Sequence, residues 1–293
     1  MKYTLFLLII FLYSSVNAQE ASMSHADSSR IFGHVYYVNA WTSIAISGGG
    51  GLLLLGARLS PYFGKTDISN QEFDALQSAS GRSSLNALDR LALNLKVPTV
   101  DYTWTAVGIQ IVCGIAPFSL FFSDQFSKNW DDITLMLLET NVITTSIFQF
   151  SPFGPSFQNK YRPIAYYATT QSARDSIRSG DTRNSFYSGH TSSAAASLYF
   201  MAKVYCDYHP DIHGWDKIGI YALASIPPML MGYFRLIALR HFPTDILTGF
   251  IVGGAVGIAV PEIHRIATKD KGLSFTPYIS PAGSGMSLTY NFK

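Results

Sequence analysis

Charged residues are scarce in this chain of 293 residues. Asp, Glu, Lys and Arg make up 14% of the sequence and hydrophobic residues 48%, whereas about 25% charged residues is usual for soluble proteins. The formal net charge is only +2, without the basic stripe that nucleic-acid binding requires. The composition argues against nucleic acid as a partner. It indicates that lipid or a dense helical core covers an apolar surface.

Cysteine is almost absent, since the chain has only Cys113 and Cys206. Cys113 lies inside an apolar stretch and Cys206 at the end of another, and the two lack the short spacing of metal ligands, so we interpret them as buried apolar side chains. A disulfide between them stays open as an alternative.

The chain also lacks a long low-complexity linker, which favours one core domain with tails.

The N-terminus has the pattern of a secretory signal. Lys2 precedes an apolar run over residues 5–13, and Val16-Asn17-Ala18 has the small-x-small ending of a cleavage site. The sequence therefore predicts a signal peptide over residues 1–18 and an exported protein. An uncleaved anchor is the alternative, although the run is short for about 30 Å of hydrocarbon. A polar segment over 19–37 follows.

Six apolar stretches predict an all-α bundle of six helices within a domain over 38–265. They lie near 38–57, 104–122, 132–150, 191–205, 217–239 and 246–261. Several approach the length of a membrane span, so we expect a membrane-embedded bundle, with a soluble bundle as the alternative. Four consecutive glycines at 48–51 cost helix stability and predict that the first helix is broken or peripheral.

The four tryptophans lie near the ends of the proposed spans, at Trp41, Trp104, Trp130 and Trp215. This placement is typical of the aromatic belts at membrane interfaces. Packing in the core would also place tryptophans there, so that alternative stays open.

The C-terminal segment changes to strand periodicity. Apolar residues from Met286 to Phe292 alternate with polar ones, and a Gly-containing turn precedes them. This pattern predicts a β-hairpin over 270–293 with one apolar face that packs against the bundle.

Three separate segments contain residues suited to phosphoryl transfer. They are Arg162-Pro163, then Ser188-Gly189-His190, then Arg235 with His241 six residues later and Asp245 four further on. Hydrolysis of a phosphate ester without a metal needs a nucleophile, an acid for the leaving oxygen and fixed positive charge around phosphorus. The two histidines, the carboxylate and the two guanidiniums supply these groups.

In this order the segments resemble the signature motifs of the type 2 phosphatidic acid phosphatase and vanadium haloperoxidase superfamily, which includes bacterial periplasmic acid phosphatases. The resemblance covers about residues 132–262 and implies the helical bundle of that family. It implies that His241 is the nucleophile, through a phosphohistidine intermediate, and that Asp245 orients it. A capped helix with a histidine at a membrane interface is the alternative for this pair.

The second segment is expected at a helix N-terminus, because small residues follow it. Free backbone N–H groups there attract anions, Gly189 permits close approach, and the Ser188 hydroxyl can donate to a phosphate oxygen. His190 is the candidate general acid and base. Arg162 and Arg235 are expected to hold phosphate oxygens bidentately.

The sequence departs from the first motif of the family. A lysine stands seven residues before the arginine in the family, whereas Pro155 occupies that position here. Lys160, two residues before Arg162, is the candidate to supply the missing charge. Tyr187 and Phe234 replace a proline and a serine of the other motifs, but neither change touches a group that reacts.

The sequence thus predicts a metal-independent phosphatase without cofactor, acting on a lipid phosphomonoester or pyrophosphate. We expect it in the cell envelope with its site facing the periplasm. If all six stretches span after signal cleavage, the Arg162 loop would face the cytoplasm, so the glycine-rich stretch is expected not to span. The alternatives are a soluble periplasmic phosphatase of small esters, a vanadate haloperoxidase, or a membrane binding protein that kept the pocket. A metal cluster at His209-Pro210-Asp211-Ile212-His213 is less favoured than a polar loop.

Overall fold

The computed structural model describes residues 35–59, 64–100, 102–152, 154–265, 273–280 and 283–290. The predicted signal peptide and most of the polar segment after it lie outside the described residues.

Six long helices form the body of the described chain, as the apolar stretches predict. They are α1 (Ala40–Leu59), α2 (Thr103–Ile115), α3 (Trp130–Phe150), α4 (Gly189–Tyr208), α5 (Gly214–Ile237) and α6 (Pro243–His264). A 3-10 turn over Ala116–Phe122 extends α2. The prediction of an all-α bundle of six helices is therefore confirmed.

Shorter helical elements occupy the connections between the long helices. They are the helices Asn70–Gln77, Ala79–Ser83, Ala87–Arg90, Asp124–Ser127 and Gln171–Ile177, with 3-10 turns at Leu91–Asn94, Pro163–Tyr166 and Gly180–Arg183. Ser69 caps the first of them in a reciprocal capping box with Glu72. The segments 64–100 and 154–188 contact each other, for example where Arg183 bonds Glu72. Together they cover the end of the bundle where α3 ends and α4 begins.

Helix α4 is the central helix, since it packs against α2, α3, α5 and α6. Its Phe200 and Val204 are fully buried and form one core cluster with Met136 of α3 and Val260 of α6. This arrangement encloses the helix that begins with the second motif.

Glycines let α6 approach the backbone of α4. Gly249, Gly253 and Gly257 follow one another at one-turn spacing along α6, and a Cβ at Gly253 would lie 2.0 Å from the Ser192 carbonyl oxygen. Only glycine fits such a contact. The close approach fixes the start of α6, with the third motif, beside the start of α4.

Helix α1 is continuous through the glycine run, so the expectation of a break is wrong, while its peripheral position agrees with the alternative. Among the long helices it packs mainly against α3, and Trp41 and Leu52 are exposed. A Cβ at Gly50 would lie 2.4 Å from Val142 Cγ1. The run therefore serves close packing of two helices rather than a bend.

Within the described residues, four helical segments are long and apolar enough to cross a membrane. They are Trp104–Phe122, Trp130–Phe150, Gly214–Ile237 and Pro243–His264, whereas Ala40–Gly56 is a shorter apolar helix. Large apolar side chains such as Val112, Leu223 and Ile251 are exposed on their outer faces. Apolar surface of this extent on long helices indicates a membrane-associated protein.

The four tryptophans lie within the first two residues of α1, α2, α3 and α5. Their side chains are between 59% and 85% exposed, so they do not pack in the core. The interfacial placement is the interpretation that fits this exposure.

A buried charged cluster joins α4 and α6 at the end of the bundle away from the second motif. Lys203 forms ion pairs with Asp207 and with Glu262, the latter at 2.6 Å. Tyr36 donates its hydroxyl to Asp207 over 2.8 Å, and Arg265 lies 3.3 Å from the same carboxylate. Opposite charges are paired, which is the condition for burying them.

The chain ends in an antiparallel hairpin of β1 (Leu273–Ser280) and β2 (Gly283–Tyr290). Leu273 pairs with Tyr290 and Ser280 with Gly283, within the range where the alternation predicts a hairpin. Its packing against the bundle stays a prediction.

Cys113 and Cys206 are both buried and free. This agrees with their interpretation as buried apolar side chains rather than as a disulfide.

Candidate active site

The three motif segments meet at one end of the bundle around a cavity of about 410 Å³. Five of the predicted site residues line it: Arg162, Gly189, His190, Arg235 and His241. The structure places the other three, Lys160, Ser188 and Asp245, behind this lining, where they bond to other protein groups.

His241 lies in the short connection between α5 and α6 and is 3% exposed. Its Nδ1 lies 2.6 Å from the Ser185 carbonyl oxygen. A carbonyl oxygen can only accept, so Nδ1 carries the proton and Nε2 holds the lone pair. The distance from Nε2 to Arg235 Nη2 is 3.5 Å. The nitrogen that holds the lone pair therefore lies beside a guanidinium.

The surroundings of His241 keep its imidazole neutral. Burial is the main cause that lowers its pKa well below the usual range, and the positive charges of Arg162 and Arg235 lower it further. The hydrogen bond to Ser185 opposes this shift without reversing it. A neutral imidazole is the form that acts as a nucleophile.

Asp245 contacts His241 only indirectly. Its Oδ2 lies 4.0 Å from His241 Nδ1, beyond hydrogen-bond distance. The same oxygen accepts from the Ser185 hydroxyl at 2.5 Å and from the Phe242 N–H at 2.8 Å. Asp245 thus holds the two backbone segments on either side of the imidazole, and the Ser185 carbonyl makes the contact with the ring.

The ammonium of Lys160 lies between two buried carboxylates. Its Nζ is 2.6 Å from Asp245 Oδ1 and 2.7 Å from Asp89 Oδ2, and it also donates to Thr244 Oγ1 over 3.0 Å. Asp89 accepts from the Thr244 N–H at 3.1 Å, which caps the start of α6. Through these bonds the ammonium stabilises the start of α6. A direct contact between Lys160 and phosphate stays a prediction.

Ser188 and Gly189 shape the start of α4. Ser188 is the N-cap, whose Oγ lies 2.9 Å from Thr191 Oγ1 and accepts from the Thr191 N–H. Its own N–H donates to the Asp245 carbonyl oxygen over 3.0 Å. A Cβ at Gly189 would lie 3.0 Å from the Phe148 ring. Glycine therefore allows the α4 N-terminus to form the wall of the cavity.

His190 lines the cavity on the first turn of α4. Among the described residues its ring nitrogens have no hydrogen-bond partner, in contrast to His241. An imidazole free on both nitrogens can donate a proton to an incoming group and later take one back.

The two arginines differ in how far they are already paired. Arg162 donates from Nε to the Asp181 carbonyl oxygen and from Nη2 to Asp181 Oδ1, both at 3.0 Å. Arg235 is 5% exposed, and its Nε has no partner among the described groups. A buried guanidinium N–H without an acceptor is costly, and an oxyanion in the cavity would satisfy it.

Sequence reasoning missed several groups around the cavity. Ser185 lies three residues before Ser188, and nothing in its residue type shows that its carbonyl contacts His241. Asp181 and Asn184 line the cavity from a segment outside the motifs. Asp89 is buried beside Lys160 although 71 residues separate the two. Only the polar character of these residues was visible in the sequence.

The histidines of the 209–213 segment belong to a loop. His209 Nδ1 lies 2.8 Å from the Tyr205 carbonyl oxygen, and His213 Nδ1 bonds the Asp211 carbonyl oxygen. The described residues contain no group of three or more His, Cys, Asp or Glu side chains placed to hold a metal ion. The polar loop is therefore the interpretation that the structure favours.

Comparison with known proteins agrees with the arrangement of motifs. The sequence model of the PAP2 superfamily matches residues 133–269. A solved structure described as the first transmembrane PAP2 type phosphatidylglycerolphosphate phosphatase from Bacillus subtilis is 19% identical, with a TM-score of 0.40, over 74% of this chain and 94% of that one. No curated protein matches the sequence. Residues 133–269, which contain all three motifs, therefore form a region of the PAP2 superfamily.

Proposed function

We propose that this protein is a phosphatase that hydrolyses lipid phosphomonoesters through a phosphohistidine intermediate, without a metal. The observation that supports this most directly is the geometry of His241. Its Nδ1 is fixed by the Ser185 carbonyl, and its Nε2 lies beside Arg235 at the cavity wall.

In the first step His241 Nε2 attacks phosphorus and the bond from phosphorus to the alcohol oxygen breaks. His190, which must be protonated for this step, donates its proton to that departing oxygen, so a neutral alcohol leaves. Arg162, Arg235 and the α4 N-terminus stabilise the negative charge on the remaining oxygens. In the second step His190 takes a proton from water, and the resulting hydroxide attacks phosphorus. The nitrogen–phosphorus bond breaks and phosphate is released.

The lipid nature of the substrate is supported by the position of the site. The cavity opens at the ends of helices whose outer faces are apolar and long enough to cross a membrane. A substrate whose tail remains in the bilayer can present its phosphate there. A soluble phosphatase would gain nothing from the exposed apolar faces, which are costly in water.

The experiment is phosphate release by the purified protein, in detergent and with EDTA, from phosphatidate, a polyprenyl pyrophosphate and p-nitrophenyl phosphate. Release that is lost in His241→Ala and retained in His209→Ala, a loop histidine outside the cavity, is the expected result. A preference for p-nitrophenyl phosphate would instead support the soluble type of enzyme. No release from any substrate by the folded protein would contradict the proposal.

We further propose that the protein is exported and that the cavity faces the periplasm. The signal-like N-terminus supports export, and the cavity faces the periplasm in a topology in which α1 does not cross the membrane. Ser176 is an exposed residue on the same side as the cavity, and both native cysteines are buried. A Ser176→Cys variant should react with a membrane-impermeant maleimide in cells with a permeable outer membrane. Labelling only after lysis would place the site in the cytoplasm.

A further inference from the structure

The cavity is larger than a single phosphoryl group requires. Its volume of about 410 Å³ lies within the range of about 300–1,000 Å³ that is typical of pockets for small organic molecules. Arg162, Asp181 and Asn184 line the end near the loops, where α3 ends and α4 begins. Thr145 of α3 and Ser193 of α4 also line the cavity. They lie about one helical turn deeper in the bundle than Gln149 and His190.

This deeper part of the cavity has a polar lining in apolar surroundings. Gln110 lines it from the middle of α2, a helix that is otherwise mostly apolar, and has no hydrogen-bond partner among the described residues. Ser192 lines it from α4, is 0% exposed, and its Oγ is likewise without a partner in the described chain. The unpaired Ser192 hydroxyl is costly because it is buried. Gln110 is only partly buried, but a polar side chain within a candidate membrane helix marks a functional site.

The position of His190 indicates which part of the substrate reaches this lining. His190 protonates the leaving oxygen in the proposed mechanism, so the leaving alcohol lies on its side of the phosphoryl group. Ser193 is one turn further along the same helix face. An acyl chain would gain nothing from amide and hydroxyl groups, whereas a hydroxyl of the leaving alcohol can both donate to them and accept from them.

The charge of the lining suits one phosphoryl group. Among the described lining residues the charged side chains are the guanidiniums of Arg162 and Arg235 and the carboxylate of Asp181, which leaves one net positive charge. A second phosphate next to the first would lie beside the Asp181 carboxylate, and Arg240, a cation close enough to act on Arg162, does not line the cavity. A phosphomonoester is therefore favoured over a pyrophosphate.

We propose that the deeper part of the cavity is a subsite for a free hydroxyl on the leaving alcohol, an inference that rests on the proposed function. Gln110 determines the preference for substrates with this hydroxyl. The substrate class is then a lipid phosphomonoester with an unesterified hydroxyl close to the scissile oxygen.

The test compares two lipids that differ by one oxygen atom, 1-oleoyl-glycerol 3-phosphate and its 2-deoxy analogue, with a polyprenyl pyrophosphate as the third substrate. We expect kcat/KM to be about tenfold higher for the hydroxylated lipid, the upper range for one neutral hydrogen bond. Gln110→Met should remove most of this preference while the kcat/KM of the deoxy lipid changes less than twofold. Thr105→Val removes a hydroxyl from the same helix outside the cavity and should change neither value.

The outcomes separate this inference from the proposed function. Equal kcat/KM for the two lipids in the unmodified protein overturns the subsite, although phosphatase activity remains. An equal loss on both lipids in Gln110→Met also overturns it, since the amide would then serve the reaction rather than recognise a hydroxyl. Preferred hydrolysis of the pyrophosphate overturns the substrate class. Absence of release from all three substrates contradicts the proposed function itself.

Discussion

The Ser185 carbonyl oxygen lies 2.6 Å from Nδ1 of His241. The Ser185 hydroxyl meanwhile donates to Asp245 Oδ2 over 2.5 Å. One residue therefore connects the carboxylate of the third motif to the imidazole that precedes it. The resemblance to the family implies that Asp245 orients His241, and in this chain the geometry transmits that effect through the main chain of Ser185.

Ser185→Ala should lower kcat about tenfold while KM changes little. The substitution retains the carbonyl but removes the hydroxyl that ties it to Asp245, a charge-assisted hydrogen bond worth about 1.5–3 kcal/mol. Steady-state kinetics on a lipid phosphate measure both constants. A rise in KM at constant kcat would contradict the positioning role, because it would show that Ser185 acts on substrate binding.

Lys160→Met should lower the free energy of unfolding by about 3–5 kcal/mol, because it leaves the buried carboxylates of Asp89 and Asp245 without their cation. Denaturation in detergent measures the change, and Lys217→Met, an exposed lysine on α5, is the matched control. If Lys160 instead binds phosphate directly, the variant will keep its stability and show a raised KM. That result would favour the role predicted from the sequence.

Gly253→Ala should destabilise the protein, whereas Gly254→Ala should not. A Cβ at Gly253 would lie 2.0 Å from the Ser192 carbonyl oxygen, but a Cβ at Gly254 would lie 3.4 Å from the Tyr199 ring. Overpacking typically costs about 1–3 kcal/mol, and here it would also push His241 away from His190. Melting temperature and phosphate release should both fall for the first variant only. Equal changes in melting temperature and phosphate release for Gly253→Ala and Gly254→Ala would contradict the close approach of α4 and α6.

The imidazole of His241 should remain neutral between pH 8 and pH 6, with its proton on Nδ1. Its pKa is lowered by burial and by Arg162 and Arg235, so protonation requires a pH below the usual value of about 6.5. Between the two values the unfolded chain binds a proton that the folded protein does not, and stability therefore falls as the pH decreases. Nitrogen NMR of labelled histidine, assigned with His241→Asn, measures the titration. A midpoint near 6.5 would contradict the buried, neutral state.

The helices could be predicted from the sequence because their signals are local, and the motif segments could be recognised for the same reason. Six apolar stretches gave six helices, and the motif residues Arg162, His190, Arg235 and His241 meet at one cavity. The fate of Lys160 could not be predicted, since it depends on Asp89, a residue far away in the chain. The continuity of α1 was also unexpected, since four glycines at 48–51 have low helix propensity. The close packing of Gly50 on α3 outweighs that low propensity. Contacts between distant backbone segments, such as Ser185 with His241, leave no mark in residue type.

Trapping of the phosphorylated protein tests the central claim most directly. The protein would be mixed with a lipid labelled with radioactive phosphate at the ester and then quenched in alkali, in which phosphohistidine survives. Brief acid treatment should then remove the label, because acid cleaves phosphohistidine and leaves phosphoserine and phosphothreonine intact. The account predicts label on the peptide that contains His241 and no label in His241→Ala. It also predicts that label accumulates in a His190 variant when the substrate has an activated leaving group, which needs no acid to depart. Phosphate release without any labelled protein in that His190 variant would contradict it.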